Sequence, residues 1–172
     1  MFLFVRSNSC LAATVLALVV LLSCGKKDVE VASPEVSPLV PGISRNLTRS
    51  DVAPKYYFDS LGPVKEPVLQ KSVQVPGDTR IAITGWAVDG STNTPAGGVD
   101  VVIDEAPYVA QYGIVRTDVA TSYKLPDYTN SGFQLILVPG KLSKGPHSVS
   151  IRVISSDRKS YYQGPVVQFS VT

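Results

Sequence analysis

The chain has 172 residues, of which 17% are charged, and a formal net charge of +2. A near-neutral balance without a basic block gives no basis for nucleic-acid binding. One histidine and two cysteines leave transition-metal sites of the usual kind short of ligands, so no cofactor is expected.

Met1 to Asn8 carries one charge, Arg6, and Leu11 to Leu22 reads LAATVLALVVLL without a charge or strong breaker. Such a run fits a signal-peptide core. It is too short for a bilayer span, which takes about 20 apolar residues. The run ends in Leu21-Leu22-Ser23-Cys24. That stretch resembles a bacterial lipoprotein lipobox. The resemblance implies lipidation of the Cys24 thiol, cleavage before it, and acylation of the new N-terminus, with palmitate-type chains holding the protein to a membrane. Two or more acyl chains make a durable tether, whereas one anchors marginally.

Cleavage removes residues 1–23, including Cys10 and Arg6, and lowers the net charge to +1. The mature chain then has one cysteine and no intrachain disulfide, although an envelope compartment would permit one. In the lipoproteins this resembles, an aspartate after the cysteine favours inner-membrane retention. Gly25 and Lys26 follow here, which leans toward the outer membrane where the organism has one.

Residues 24–55 read as the lipidated cysteine and a flexible tether. Pro34, Pro38, Pro41 and Pro54 punctuate them, with Ser33, Ser37, Ser44 and Ser50 between. Such composition favours extended conformations, reaching about 30 Å as a coil and up to about 90 Å fully stretched. Tyr56-Tyr57-Phe58 is expected to staple the tether's end to the domain.

Residues 56–172 form one domain, and their apolar positions alternate with period two. Ile81 and Ile83 start a strand running through Trp86. Val99, Val101 and Ile103 share a face, as do Phe133, Leu135 and Leu137. Val149, Ile151 and Val153 alternate with Ser148, Ser150 and Arg152, and Val167, Phe169 and Val171 close the pattern. This is the half-buried strand signature. Pro76-Gly77-Asp78, Asp89-Gly90-Ser91, Pro139-Gly140, Lys144-Gly145-Pro146 and Ser156-Asp157 mark turns. Only Thr117 to Tyr123 reads as helical. The spacing predicts an all-β fold, an antiparallel sandwich of about seven strands.

Four blocks sharpen this: Gly85-Trp86-Ala87-Val88-Asp89, Tyr112 through Val119, Asn130-Ser131-Gly132-Phe133, and Ser155-Ser156-Asp157 with Tyr161-Tyr162. Together they resemble a bacterial Ig-like β-sandwich module, similar to accessory extracytoplasmic domains of large bacterial membrane proteins. The resemblance spans most of Ser60 to Thr172 and implies a fold and an envelope setting, with no assigned reaction. Within it, Gly85 suits a bulge, with the Trp86 indole packed into the sandwich. Arg116 and Asp118 can pair, or Asp118 can cap the short helix. Gly132 relieves a tight approach, and at most one of Tyr161 and Tyr162 faces the core.

The chemistry is sparse. His147 reads as a strand-end polar residue, because nothing in the sequence sets a nucleophile and an orienting acid beside it. Asp89-Gly90-Ser91-Thr92-Asn93 alternates oxygen side chains like a calcium loop but lacks the central glycine and final glutamate. Asp100 and Asp104 are expected to face solvent, since Val99, Val101 and Ile103 mark the opposite face as core. No catalysis is expected. Tyrosines can stack on sugars or anchor a protein. Tyr108, Tyr112, Tyr123 and Tyr128 are therefore the candidate binding residues. The reading is a membrane-anchored binding or scaffolding module whose partner is an envelope protein. The alternative is a glycan-binding module using those tyrosines.

Overall fold

A computed structural model describes residues 39–172. The signal segment, Cys24 and the first part of the tether lie outside the described residues. In chain order the strands are β1 (Thr48–Ser50), β2 (Lys55–Leu61), β3 (Val64–Lys65), β4 (Gln74–Val75), β5 (Ile81–Asp89), β6 (Thr94–Pro95) and β7 (Gly98–Ile103). They continue with β8 (Ala106–Val109), β9 (Gln111–Ile114), β10 (Gly132–Leu137), β11 (Gly145–Ile154), β12 (Ser160–Gln163) and β13 (Val167–Val171). One helix, α1 (Thr117–Tyr123), follows β9, as the sequence predicts.

The strands form two sheets. In the first, β11 runs through the centre, flanked by β7 and β8 on one side and by β12 and β13 on the other. In the second the order is β3-β2-β5-β10-β9, with β6 beside β5. Pairing is antiparallel except at two edges, where β1 joins β12 and β4 joins β13 in parallel. The alternating residues meet between the sheets. Val101, Val149, Ile151 and Val153 from the first sheet face Phe58, Ile83, Phe133 and Leu135 from the second, all within one buried cluster. Each such side chain contributes about 1.5–3 kcal/mol to holding the two sheets of this all-β sandwich together.

Two details of the second sheet differ from expectation. The bulge lies in β2, where the register shifts between Phe58 and Ser60 and leaves Asp59 as the extra residue. Gly85 sits opposite, and a Cβ there would strike the Tyr57 carbonyl and the Phe133 ring. Close approach of strand and ring therefore requires this glycine. Trp86 does not enter the sandwich. Ile83 and Ala87 face the core, so Trp86 and Val88 face outward, where Val119 of α1 and Tyr128 cover them. That second cluster leaves Trp86 only 8% exposed.

Tyr56-Tyr57-Phe58 is likewise no staple. It belongs to β2 and pairs with Ala87, Trp86 and Gly85 inside the sheet.

The largest departure is at the N-terminal side. Residues 39–50, expected as tether, are knitted onto the first sheet. Val40 accepts from the Val109 amide, and the Gly42 amide donates to Pro107, which adds this segment to the edge of β8. The 3-10 turn Ile43–Asn46 contacts β8, β7 and β11, and β1 then pairs with β12. The segment is a strap running over the sheet's outer face from one edge toward the other. The domain begins before Tyr56, and Asp100 explains how. Its side chain faces outward as alternation requires, but it is 0% exposed because the strap lies on it. Its carboxylate accepts from the Ile43 amide at 3.1 Å and the Ser44 amide at 2.7 Å. Gly42 passes so close that a Cβ would come within 2.6 Å of Asp100 and of Pro107.

Candidate functional site

Of the four candidate tyrosines, Tyr123 and Tyr128 meet with ring centroids 5.6 Å apart, Tyr108 and Tyr112 pack against the separate main core, and most are engaged in the fold. Tyr128 is fully buried. Its hydroxyl meets Lys55 Nζ at 3.0 Å and donates to Asn93 at 3.2 Å. The Tyr112 hydroxyl accepts from the Ala96 amide and donates to the Ala87 carbonyl, tying β9 to β5 and its neighbour. Tyr108 packs against the core and bridges to Pro41 of the strap. Tyr123 is half exposed, yet Lys55 Nζ lies 4.8 Å from its ring centroid and Trp86 meets it edge-on at 5.4 Å. Tyr123 is thus the one of the four with an exposed ring, at 44%.

The acids are similarly engaged. Asp89, at the end of β5, is buried and accepts from the Ser91 amide and hydroxyl, the Ser156 amide and the Tyr162 hydroxyl. Burial pushes its pKa up, but these donors outweigh it and hold the carboxyl down at about 2. Asp89 fastens the turn after β5 to the turn between β11 and β12. Among the described residues no group of three His, Cys, Asp or Glu side chains converges to hold a metal. Arg116 grips Asp118 through two nitrogens and reaches Asp59 at 2.6 Å, so the bulge residue of β2 is pinned to the start of α1. The Arg116 guanidinium holds Asp118 down at about 2. Asp118 thus pairs with its neighbour, and the helix has no side-chain cap.

His147, Asp104 and Ser143 gather at one corner. Asp104 and Glu105 both take left-handed backbone in the tight turn between β7 and β8. This aims the Asp104 carboxylate at His147 Nδ1, 2.6 Å away, and at the Ser148 amide. His147 Nε2 lies 2.8 Å from the Ser143 carbonyl, and 3.5 Å from its hydroxyl. Both ring nitrogens therefore face acceptors, which favours the doubly protonated ring. Burial lowers the His147 pKa, and the Asp104 carboxylate and Ser143 carbonyl raise it above its ordinary value overall. Bonded through both nitrogens, the ring ties the turn between β7 and β8 to the loop before β11. Asp104 departs from expectation only in part, since it is half exposed but bonded.

Arg152 projects from the outer face of the first sheet into a cleft of about 310 Å3 beside Gln163, Ser150 and Val102. Its guanidinium donates to Gln163 and to Ser44 of the strap and lies 4.7 Å over the Tyr161 ring. Arg152 thus braces the strap from the second side. Tyr162 turns to the core and Tyr161 away from it, as their adjacency requires.

One feature has no counterpart in the sequence reading. β3 covers only Ser60 and Leu61 of β2. Beside the rest of that edge lies a 3-10 turn, Pro67–Leu69. Between them is an apolar pocket of about 150 Å3 lined by Tyr56, Tyr57, Phe58, Glu66, Val68 and Leu69. Tyr57 is 41%, Val68 44% and Leu69 71% exposed. Single exposed apolar residues need no explanation, but these three surround one hollow and form an exposed apolar patch. The available signal was Val68-Leu69 in the otherwise polar stretch Lys65 to Lys71. The Tyr57 hydroxyl donates to Glu66 Oε1 at the rim. That bond, with the nearby carboxylates, raises the Tyr57 pKa.

No protein-family model matches the chain, and no curated protein sequence matches it. Among solved structures, one similar fold is the X-ray structure of the endo-beta-1,4-mannanase from Thermotoga petrophila, at 9% identity and a TM-score of 0.42. The likeness covers 72% of this chain and 20% of that one, so this chain spans about a fifth of the mannanase's length. A likeness at that level does not indicate what this chain binds. Among the described residues no helix is long and apolar enough to cross a membrane.

Proposed function

We propose that the chain is a lipid-anchored lipoprotein of the bacterial cell envelope, in the outer membrane where one exists, and that its Ig-like sandwich serves as a binding or scaffolding module without catalysis. The anchor rests on Leu21-Leu22-Ser23-Cys24 at the end of its apolar run. The binding reading rests on the exposed Tyr57, Val68 and Leu69 patch over its pocket. It is favoured over catalysis by the engagement of Asp89, Asp100, Asp118 and His147 in bonds that hold the fold. It is favoured over a tyrosine-based glycan site by the burial of Tyr128 and the bonding of Tyr112. The partner on this reading is a protein of the envelope.

Replacing Cys24 with alanine is the test of the anchor. Metabolic labelling with a palmitate analogue should disappear, and the protein should leave the membrane fraction. Labelling that persists in the variant overturns the anchor.

A further inference from the structure

We propose that the pocket beside β2 receives a lysine side chain from a protein partner, with its alkyl stem against Val68 and Leu69 and its ammonium on Glu66. This inference rests on the binding reading above and names the chemistry the patch selects.

Glu66 carries the argument. Its backbone is left-handed, φ 48° and ψ 54°, directly before Pro67. A non-glycine residue adopts that region at a cost, and a following proline disfavours helical conformations further. Such strain persists only where surrounding structure enforces it, and it concentrates where a side chain must be presented. Two bonds enforce it here. The Glu66 amide donates to the Asp59 carbonyl at 2.9 Å, and the Tyr57 hydroxyl donates to the carboxylate. The carboxylate is thereby fixed at the rim of an apolar hollow. Ion pairs among the described residues engage Asp59, Asp104, Asp118 and Asp157, and none reaches Glu66. A negative charge without a cation beside it therefore sits next to exposed apolar surface.

Charge complementarity selects the occupant. A purely apolar side chain entering the pocket would strip water from the carboxylate and return nothing. A sugar wants several hydrogen-bonding groups, and the polar side chains lining the pocket are Tyr56, Tyr57 and Glu66 alone, with the Tyr57 hydroxyl already bonded to Glu66. An arginine is best served by both oxygens of a carboxylate, and Tyr57 already takes one of the acceptor sites on Oε1. Lysine fits each constraint. Its stem covers apolar surface while its head stays at the rim, and a compact ammonium needs one oxygen. The exposed Tyr57 ring adds attraction for a cation above it.

The test uses the isotopically labelled full chain in detergent micelles, titrated with short blocked alanine peptides. These carry a single central lysine, N-acetyl-lysine, norleucine or arginine. The lysine peptide should shift the amide resonances of Tyr57 and of Glu66 to Leu69. N-acetyl-lysine and norleucine should bind about tenfold more weakly, because they keep the stem and lose the charge. Glu66→Gln, which keeps an acceptor for Tyr57, should abolish the preference for lysine while leaving resonances of the core strands unmoved. Equal binding of the lysine and norleucine peptides, or tighter binding of the arginine peptide, would overturn the lysine proposal while sparing the patch as a binding surface. No shift with any peptide up to about 10 mM would overturn both.

Discussion

Replacing Asp89 with alanine should destabilise the domain by about 3–5 kcal/mol, because one buried carboxylate serves four donors on three segments. The estimate has two parts. A carboxyl held at about 2 against an ordinary 3.8 contributes about 2 kcal/mol at neutral pH. The alanine variant also leaves the Ser156 amide without this acceptor, at about 1–3 kcal/mol for a group left unpaired, while the Tyr162 hydroxyl keeps Ser91 as a partner. The pH dependence has a definite sign. A depressed folded pKa stabilises above the unfolded value, near 3.8, and that stability is lost as pH falls toward about 2. Urea unfolding followed by Trp86 fluorescence between pH 7 and pH 2 measures both effects. The parent should lose stability more steeply below about pH 4 than the variant does. Equal slopes in acid, or a neutral-pH cost below about 1 kcal/mol, would refute the view that Asp89 fastens these turns.

The corner clip has the opposite pH behaviour on one side. His147, raised above 6.5, stabilises most below that value and loses its contribution as pH rises through the raised one. Asp104, lowered from 3.8, contributes only above its unfolded value. The clip is therefore complete between roughly pH 4 and 6.5. With Asp104 48% exposed, solvent limits it to about 1 kcal/mol or less. The protection factors of amides in residues 138–144, which correct for the base catalysis of exchange itself, should fall above that window, and His147→Gln should remove that fall. Asp100→Ala should release the strap, exposing residues 39–50 to limited proteolysis and costing about 2–4 kcal/mol through two orphaned amides. Unchanged protection of that segment would mean that β1 and the β8 edge hold it alone.

The strands were legible wherever one face is buried and the other wet. Phe133 to Leu137 and Val149 to Val153 fall on the faces their alternation assigns. Alternation failed where both faces are covered, because period two reports side-chain direction and says nothing about what lies above the outer face. Trp86 obeys the pattern by pointing away from Ile83 and Ala87, and α1 then buries it. Asp100 points outward and is buried beneath the strap. The strap was illegible because its pairing uses backbone groups and one distant carboxylate, which leave no apolar periodicity in residues 39–50. β8 and β9 were missed for a similar reason, since Ala106 to Val109 and Gln111 to Ile114 carry little alternation. The engagement of Tyr112 and Tyr128 was illegible because composition counts rings but not the partners of their hydroxyls. The pocket beside β2 depends on a left-handed Glu66 that no residue pattern announces.

The strap also sets how the domain would respond to a pull from its N-terminal side. Its attachments lie in series along the chain: the Val109 and Pro107 bonds at the β8 edge, then Asp100, then Arg152 on Ser44, then the pairing of β1 with β12. Load would reach them one at a time, once Leu39 has left its packing against the core. Residues 39–50 could therefore pay out about 40 Å of chain while the sandwich stayed folded. The fold would act as a spool, setting reach by tension.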